Sequence, residues 1–202
     1  MRIDYLCIQK SIQQQLDVLI PINILEDISC FAEQISFSKG EIILGIGSGM
    51  NKVFFVLNGI ARSYYLDDEG NDVTKLFCPE MSLIAGESFF TNGKSIQSFE
   101  AIEDVDTLSF NAKELKEYFI EIPILQELYI KLLENSIIYK MHREYGFQVK
   151  HATERYLDFQ KEFPHLEDRV NQSYIASYLG ITPVSLSRIR RTIKEERGGT
   201  LI

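Results

Sequence analysis

The chain has no uncharged apolar run approaching the roughly 18–20 residues that a membrane-spanning helix needs, which argues against a helical membrane protein. Its first ten residues, MRIDYLCIQK, carry charge where a secretory leader needs a continuous apolar segment. Cysteine is scarce. Cys7, Cys30 and Cys78 are an odd number at wide spacings and make neither a disulfide framework nor a C-x-x-C metal or redox site. They are expected to be reduced and buried, in a cytoplasmic protein. Histidine is equally scarce. His142, His151 and His165 share no metal-ligand spacing and read as surface groups, so no metal site is expected. All three follow residue 141, which argues against a cupin-type enzyme with a histidine cluster on its strands. Internal repeats, low-complexity segments and long disordered linkers are also missing.

What remains is ordinary globular composition: 202 residues, 45% hydrophobic and 25% charged, enough for one large domain or two small ones. The net charge of −8 argues, taken whole, against a nucleic-acid partner. Its distribution argues the reverse. Residues 169–202 hold six Lys and Arg against Glu195 and Glu196, a net +4 that leaves −12 for the preceding part. Such an asymmetry marks an end that binds nucleic acid.

Glycine divides the chain. Eight of twelve glycines fall between Gly40 and Gly93, and none between residues 94 and 145. The glycine-punctuated stretch reads as short strands and tight turns: Gln34–Phe37, Glu41–Ile46, Lys52–Leu57, Ile60–Leu66, Val73–Cys78, Ser82–Ala85, Ser95–Ala101 and Thr107–Phe110. Asp67-Asp68-Glu69-Gly70-Asn71 reads as a hairpin loop. Gly45, Gly47 and Gly49 are followed by a strand rather than a helix, so they form a turn and not a dinucleotide fingerprint. Regular short strands of this kind mean a barrel, sandwich or β-roll. Helices flank it: residues 22–32 after Pro21, then 111–119 behind an Asn111 cap.

A long helix is expected from Pro123 to about Val149, with two apolar stripes: Leu125, Leu128, Leu132, and Ile130, Leu133, Ile137, Met141, Tyr145. One stripe suffices for one core, so two suggest a second helix from another subunit. The dimerisation residues expected on this basis are Leu125, Leu128, Leu132, Ile137 and Met141. The alternative is a helix buried inside one larger core. A further helix, residues 151–163, stops at Pro164.

The strongest signal runs from Gln172 to Arg191 and reads as a helix-turn-helix. Ala176 is small where two helices cross, and Gly180 sits where the turn needs a positive φ. Ile175, Leu179, Ile181, Leu186 and Ile189 supply the contacts between the helices. Thr182 caps the second helix and Pro183 opens it. Its outward face is expected to present Pro183, Val184, Ser185, Ser187, Arg188 and Arg191; the expected DNA-binding residues are these with Thr182, Arg190 and Lys194, and among them Arg190, Arg191 and Lys194 mainly contact or steer toward phosphate. Arg188 is expected to read a guanine edge.

These pieces, in this order, resemble the Crp/Fnr transcription regulators over residues of about 20 to 195. The residues that carry the resemblance are Phe37-Ser38-Lys39-Gly40-Glu41, the run from Val53 through Gly59 to Arg62, Gly86-Glu87 and Leu186-Ser187-Arg188. The resemblance implies an α+β chain. An N-terminal β-roll of the cyclic-nucleotide-binding, jelly-roll type occupies residues 1–111, a helical linker and dimerisation helix 112–149, and a winged-helix-type helix-turn-helix domain 150–202. It implies a homodimer on a near-palindromic duplex operator, not an enzyme, with RNA polymerase as a further candidate partner. It places an effector pocket at Gly86, Glu87, Ser88, Lys94, Ser95 and Ile96.

The departures from the family pattern are specific. The cassette at 86–101 contains no arginine to hold a cyclic phosphate, so cyclic AMP is not expected as effector, and the site suits a neutral or hydroxyl-bearing small molecule or no ligand at all. No cysteine cluster for an iron–sulfur centre is present. The strands before the helix-turn-helix are reduced to a few residues around Glu167–Asn171. Pro183 and Val184 stand where the family commonly has an Arg and a Glu. The competing reading is a ligand-binding regulatory module that acts on another protein through its C-terminal helices.

Overall fold

The computed structural model describes residues 3–49, 51–91 and 93–198. Two helices come first, α1 (Tyr5–Leu16) and α2 (Ile22–Ser29). Helix α1, which the sequence reading did not separate, is started by Asp4, whose carboxylate accepts the Cys7 N–H at 3.0 Å. Eight strands follow: β1 (Glu33–Phe37), β2 (Ile42–Leu44), β3 (Lys52–Asn58), β4 (Ala61–Leu66), β5 (Asp72–Cys78), β6 (Leu83–Ile84), β7 (Ser98–Ala101) and β8 (Val105–Asn111). All eight expected strands are present, several trimmed at their ends.

The strands form two four-stranded sheets, in the orders β1-β8-β3-β6 and β2-β7-β4-β5. In β3, Val53 and Val56 are fully buried while Lys52 and Asn58 are exposed. Val53 pairs with Phe110 across to β8. The tight turn after β3 requires Gly59. Its φ is +89°, and a Cβ there would stand 2.2 Å from the Asp104 carbonyl oxygen, so any other residue would push the two strands apart.

Helix α3 (Ala112–Glu121) starts where Asn111 accepts from the Lys113 and Glu114 N–H groups, as expected of that cap. The long helix α4 (Pro123–Val149) also lies where the sequence placed it. After it come α5 (Ala152–Glu162), α6 (Gln172–Leu179) and α7 (Pro183–Gly198). Instead of the shortened strands expected around Glu167–Asn171, a 3-10 turn covers Leu166–Asp168.

The chain forms two compact units. The first comprises the described residues to Tyr65 together with Phe77–Ile138; the second comprises Leu66–Leu76 and the described residues from Tyr139 onward. The core of the first packs Val18, Ile20, Val53, Leu108, Leu115 and Leu125. Burying each such side chain contributes about 1.5–3 kcal/mol. The second unit is centred on Tyr156, Phe159, Ile175, Leu179 and Leu186, all buried. One expectation about the cysteines is corrected. Only Cys78 is buried, while Cys7, on α1, and Cys30, just after α2, are exposed.

Candidate nucleic-acid interface and the β-roll interior

The α6–α7 pair, where the sequence reading expected a helix-turn-helix, is assembled by its caps. Asn171 opens α6 by accepting the Ser173 N–H at 2.9 Å. Gly180 closes it with φ +67°, and the chain turns in a Schellman pattern. The Gly180 N–H donates to the Ser177 carbonyl and the Ile181 N–H to the Ala176 carbonyl, each at 3.0 Å. Ala176 has no exposed surface, which is what a close helix crossing requires. Thr182 then starts α7, its Oγ1 accepting the Ser185 N–H at 3.1 Å and sharing a hydrogen bond with the Ser185 hydroxyl at 3.0 Å. Leu186 and Ile193 turn inward and are buried.

The outward face is close to the expected one, with two differences. Pro183, Val184, Ser187, Arg188, Arg191 and Lys194 are exposed. Ser185 is half-buried and its hydroxyl is engaged in the cap. Arg190 turns back, its Nη2 3.8 Å from Glu167 Oε1, and Glu167 also accepts the Tyr156 hydroxyl at 2.7 Å. The reason is the helical period, which puts residue 190 on the flank of the Leu186–Ile193 face. Arg191 lies 3.8 Å from Glu195 one turn on, an exposed pair that contributes little and separates easily. The Arg197 side chain lies outside the described residues.

Two arginines that the sequence reading passed over hold this unit in place. Arg143 on α4 donates from Nη2 to the Tyr178 carbonyl at 3.3 Å and lies over the Tyr178 ring at 4.0 Å. Arg155 on α5 donates from Nε to the Leu179 carbonyl at 3.2 Å and from Nη1 to the Lys150 carbonyl at 2.8 Å. Both guanidiniums thus cap the carbonyl end of α6, the negative end of its dipole. The Tyr139 and Tyr178 hydroxyls are 2.9 Å apart beside them. Burial, then the neighbouring Tyr178, pushes the Tyr139 phenol up, so it stays protonated and bonded. No local spacing in the sequence marks a guanidinium for a carbonyl so far along the chain.

On α4 the two stripes have different fates. Leu125 and Leu128 are buried in the core of the first unit, and Leu132 packs against it. Their own fold accounts for them, so they are not the seam the sequence reading assigned. Ile137 and Met141, from the second stripe, are 57% and 61% exposed, and Ile130 and Tyr145 are exposed with them.

In the β-roll the expected pocket residues are bonded largely to one another and to their own loop. The Glu87 carboxylate accepts the Ile96 N–H and, at 2.8 Å, the Gln97 Nε2. Gln97 Oε1 in turn accepts the Ser63 hydroxyl at 3.1 Å. The buried Ser95 hydroxyl donates to the Gln97 carbonyl at 2.7 Å. Lys94 and the Ile96 side chain are exposed, Gly86 is buried, and the Ser88 side chain lies outside the described residues. Beside this chain Arg62, 3% exposed, donates from Nε and Nη2 to Glu100 Oε2 at 3.2 and 2.9 Å and stacks on Tyr64. Gln97, Arg62 and Glu100 were not anticipated as site residues. No regular alternation marks them in the sequence, since Arg62 is followed by Ser63 on β4 and Gln97 by Ser98 at the start of β7.

A buried cyclic phosphate needs a matched cation. Here Arg62 is engaged by Glu100, Lys94 faces outward, and the carboxylate at the cassette start is bonded by its own loop.

Residues 34–121 match the cyclic nucleotide-binding domain family. No curated protein matches the chain. Among solved structures it is similar to FixK2 from Bradyrhizobium japonicum, at 22% identity over 82% of this chain and 85% of that one, TM-score 0.69. It is also similar to a variant of CooA from Carboxydothermus hydrogenoformans, at 20% identity over 84% and 79%, TM-score 0.68. A third is the c-di-GMP-responsive global regulator CLP of Xanthomonas campestris, at 9% identity over 87% and 93%, TM-score 0.67. The likeness is one of fold: a β-roll of the cyclic-nucleotide-binding type, a long helix and C-terminal helices.

Proposed function

We propose that the chain is a transcription regulator of the Crp/Fnr type, a homodimer that reads a near-palindromic duplex operator and does not take cyclic AMP as effector. The observation that carries this is the outward face of α7, where Val184, Arg188 and Arg191 are all exposed behind a Thr182 cap on a tight Gly180 turn. A helix presented in this way, small and apolar in its first turn and basic from Arg188 to Lys194, suits the major groove. The net +4 of the C-terminal segment against −12 elsewhere supports the same end as the one that meets phosphate. The exposed stripe Ile130, Ile137, Met141 and Tyr145 supports pairing through α4. Two recognition helices related by such a pair would address half-sites about 34 Å apart. The internal bonding of Glu87 and Gln97 supports an effector other than an anionic nucleotide.

Duplex affinity measured between about 50 and 200 mM salt tests the reading. A transcription regulator loses affinity steeply through counterion release. Salt-independent or absent duplex binding would favour the competing module that acts on another protein.

A further inference from the structure

We infer that Val184 reads the 5-methyl group of a thymine close to the guanine read by Arg188. This rests on the proposed DNA-binding function and deepens it from a binding helix to a partial half-site. Val184 is 61% exposed at the second position of α7. A lone exposed valine means nothing on a protein surface. This one shares a helical face with Arg188 four residues on and Arg191 seven residues on, both exposed.

At the leading turn of that face the exposed side chains, Pro183 and Val184, are apolar, and the Ser185 hydroxyl is held by Thr182 at 3.0 Å; the exposed Ser187 hydroxyl lies three residues beyond Val184 on the same face. The tip that enters a major groove first is therefore apolar. Among base edges in that groove, only thymine presents an apolar group. Guanine or cytosine opposite Val184 would leave a desolvated acceptor or donor without a partner, which disfavours them further. A β-branched side chain on a helix is nearly fixed at χ1, so its methyl groups are already in place.

The spacing is also set. Four residues of helix advance about 6 Å. Base pairs rise about 3.4 Å. The thymine should thus lie within about two base pairs of the guanine.

The test begins with selection of duplexes by the full chain from a random pool. Each thymine of the selected half-site is then replaced by deoxyuridine, which removes only the methyl group. The expected result is about fourfold weaker binding at one thymine within about two base pairs of the guanine that R188A relaxes, the size of burying one methyl-sized group. V184A abolishes that ratio, while V184T, which keeps a methyl group, retains most of it. Both substitutions are at an exposed helical position, and unchanged salt dependence on random duplex shows that the variants fold and bind. Equal binding of thymine and deoxyuridine duplexes by the native chain, or a ratio that survives V184A, overturns the inference and leaves the DNA-binding reading standing. Failure to bind any duplex at low salt overturns both.

Discussion

Gly180 has φ +67°, and a Cβ added there would sit 2.8 Å from Cε1 of Phe147. The Phe147 ring is half-exposed and can yield, so the contact is the smaller part of the cost. The backbone is not free to yield, because the Schellman turn fixes the start of α7. G180A is therefore expected to destabilise the chain by about 1–2 kcal/mol, read as a shift in the urea midpoint at constant slope. An unchanged midpoint would mean that the turn relaxes out of the left-handed region. Arg188 is the other residue with a sharp expectation. R188A should lose about 1–3 kcal/mol on a selected operator and relax one guanine position. Equal losses on operator and random duplex would assign Arg188 to phosphate instead. Arg190 stands apart from both, since its guanidinium faces Glu167; truncating it acts on the packing of α5 and the 3-10 turn as well as on charge.

At the scale of elements, the proposed assembly turns on α4. Its first stripe belongs to the core of the first unit and its second stripe to the surface. I137D with M141D should dissociate a dimer in sedimentation while circular dichroism stays native. L128D should instead cost several kcal/mol of folding stability, because it puts a charge in a site only 9% exposed. A double variant that still sediments as a dimer would move the seam elsewhere. The same helix shows what periodicity can convey. Amphipathic spacing located α4 and revealed two apolar faces, but which face its own strands and helices cover depends on residues more than 100 positions away, such as Val18 and Ile20. Strand positions were legible because each is local: alternation within a few residues, bounded by glycine or acidic turns. Helix α1 was not legible, since its polar run KSIQQQ dilutes the apolar period and its closing Asp17 mimics a turn residue. The cap at Asn111, the turn at Gly180 and the cap at Thr182 were legible for the same local reason as the strands. The Arg143 and Arg155 contacts to α6, and the Ser63–Gln97–Glu87 chain, join distant segments and leave no pattern along the sequence.

For the whole molecule, the expectation concerns what it responds to. Titration calorimetry with cyclic AMP or cyclic GMP should give no saturable heat below about 100 µM, because an anionic ligand in this β-roll would lack the matched cation that offsets its burial. Saturable binding that E87A abolishes would show that the cassette works without its arginine. The pairing of Arg62 with Glu100 has a consequence for how the β-roll is reached in the first place. These two residues stand opposite each other in the β4–β7 register, between Ala61↔Ala101 and Ser63↔Phe99. Slipping one strand by a single residue would turn every side chain of that strand to the other face. It would strand a guanidinium and a carboxylate in the interior with no counterpart, and separate the Ser63 hydroxyl from Gln97. An all-apolar pair at this point would leave only the change of face to oppose the slip. The ion pair adds its own penalty and works as a proofreader against the mispaired sheet.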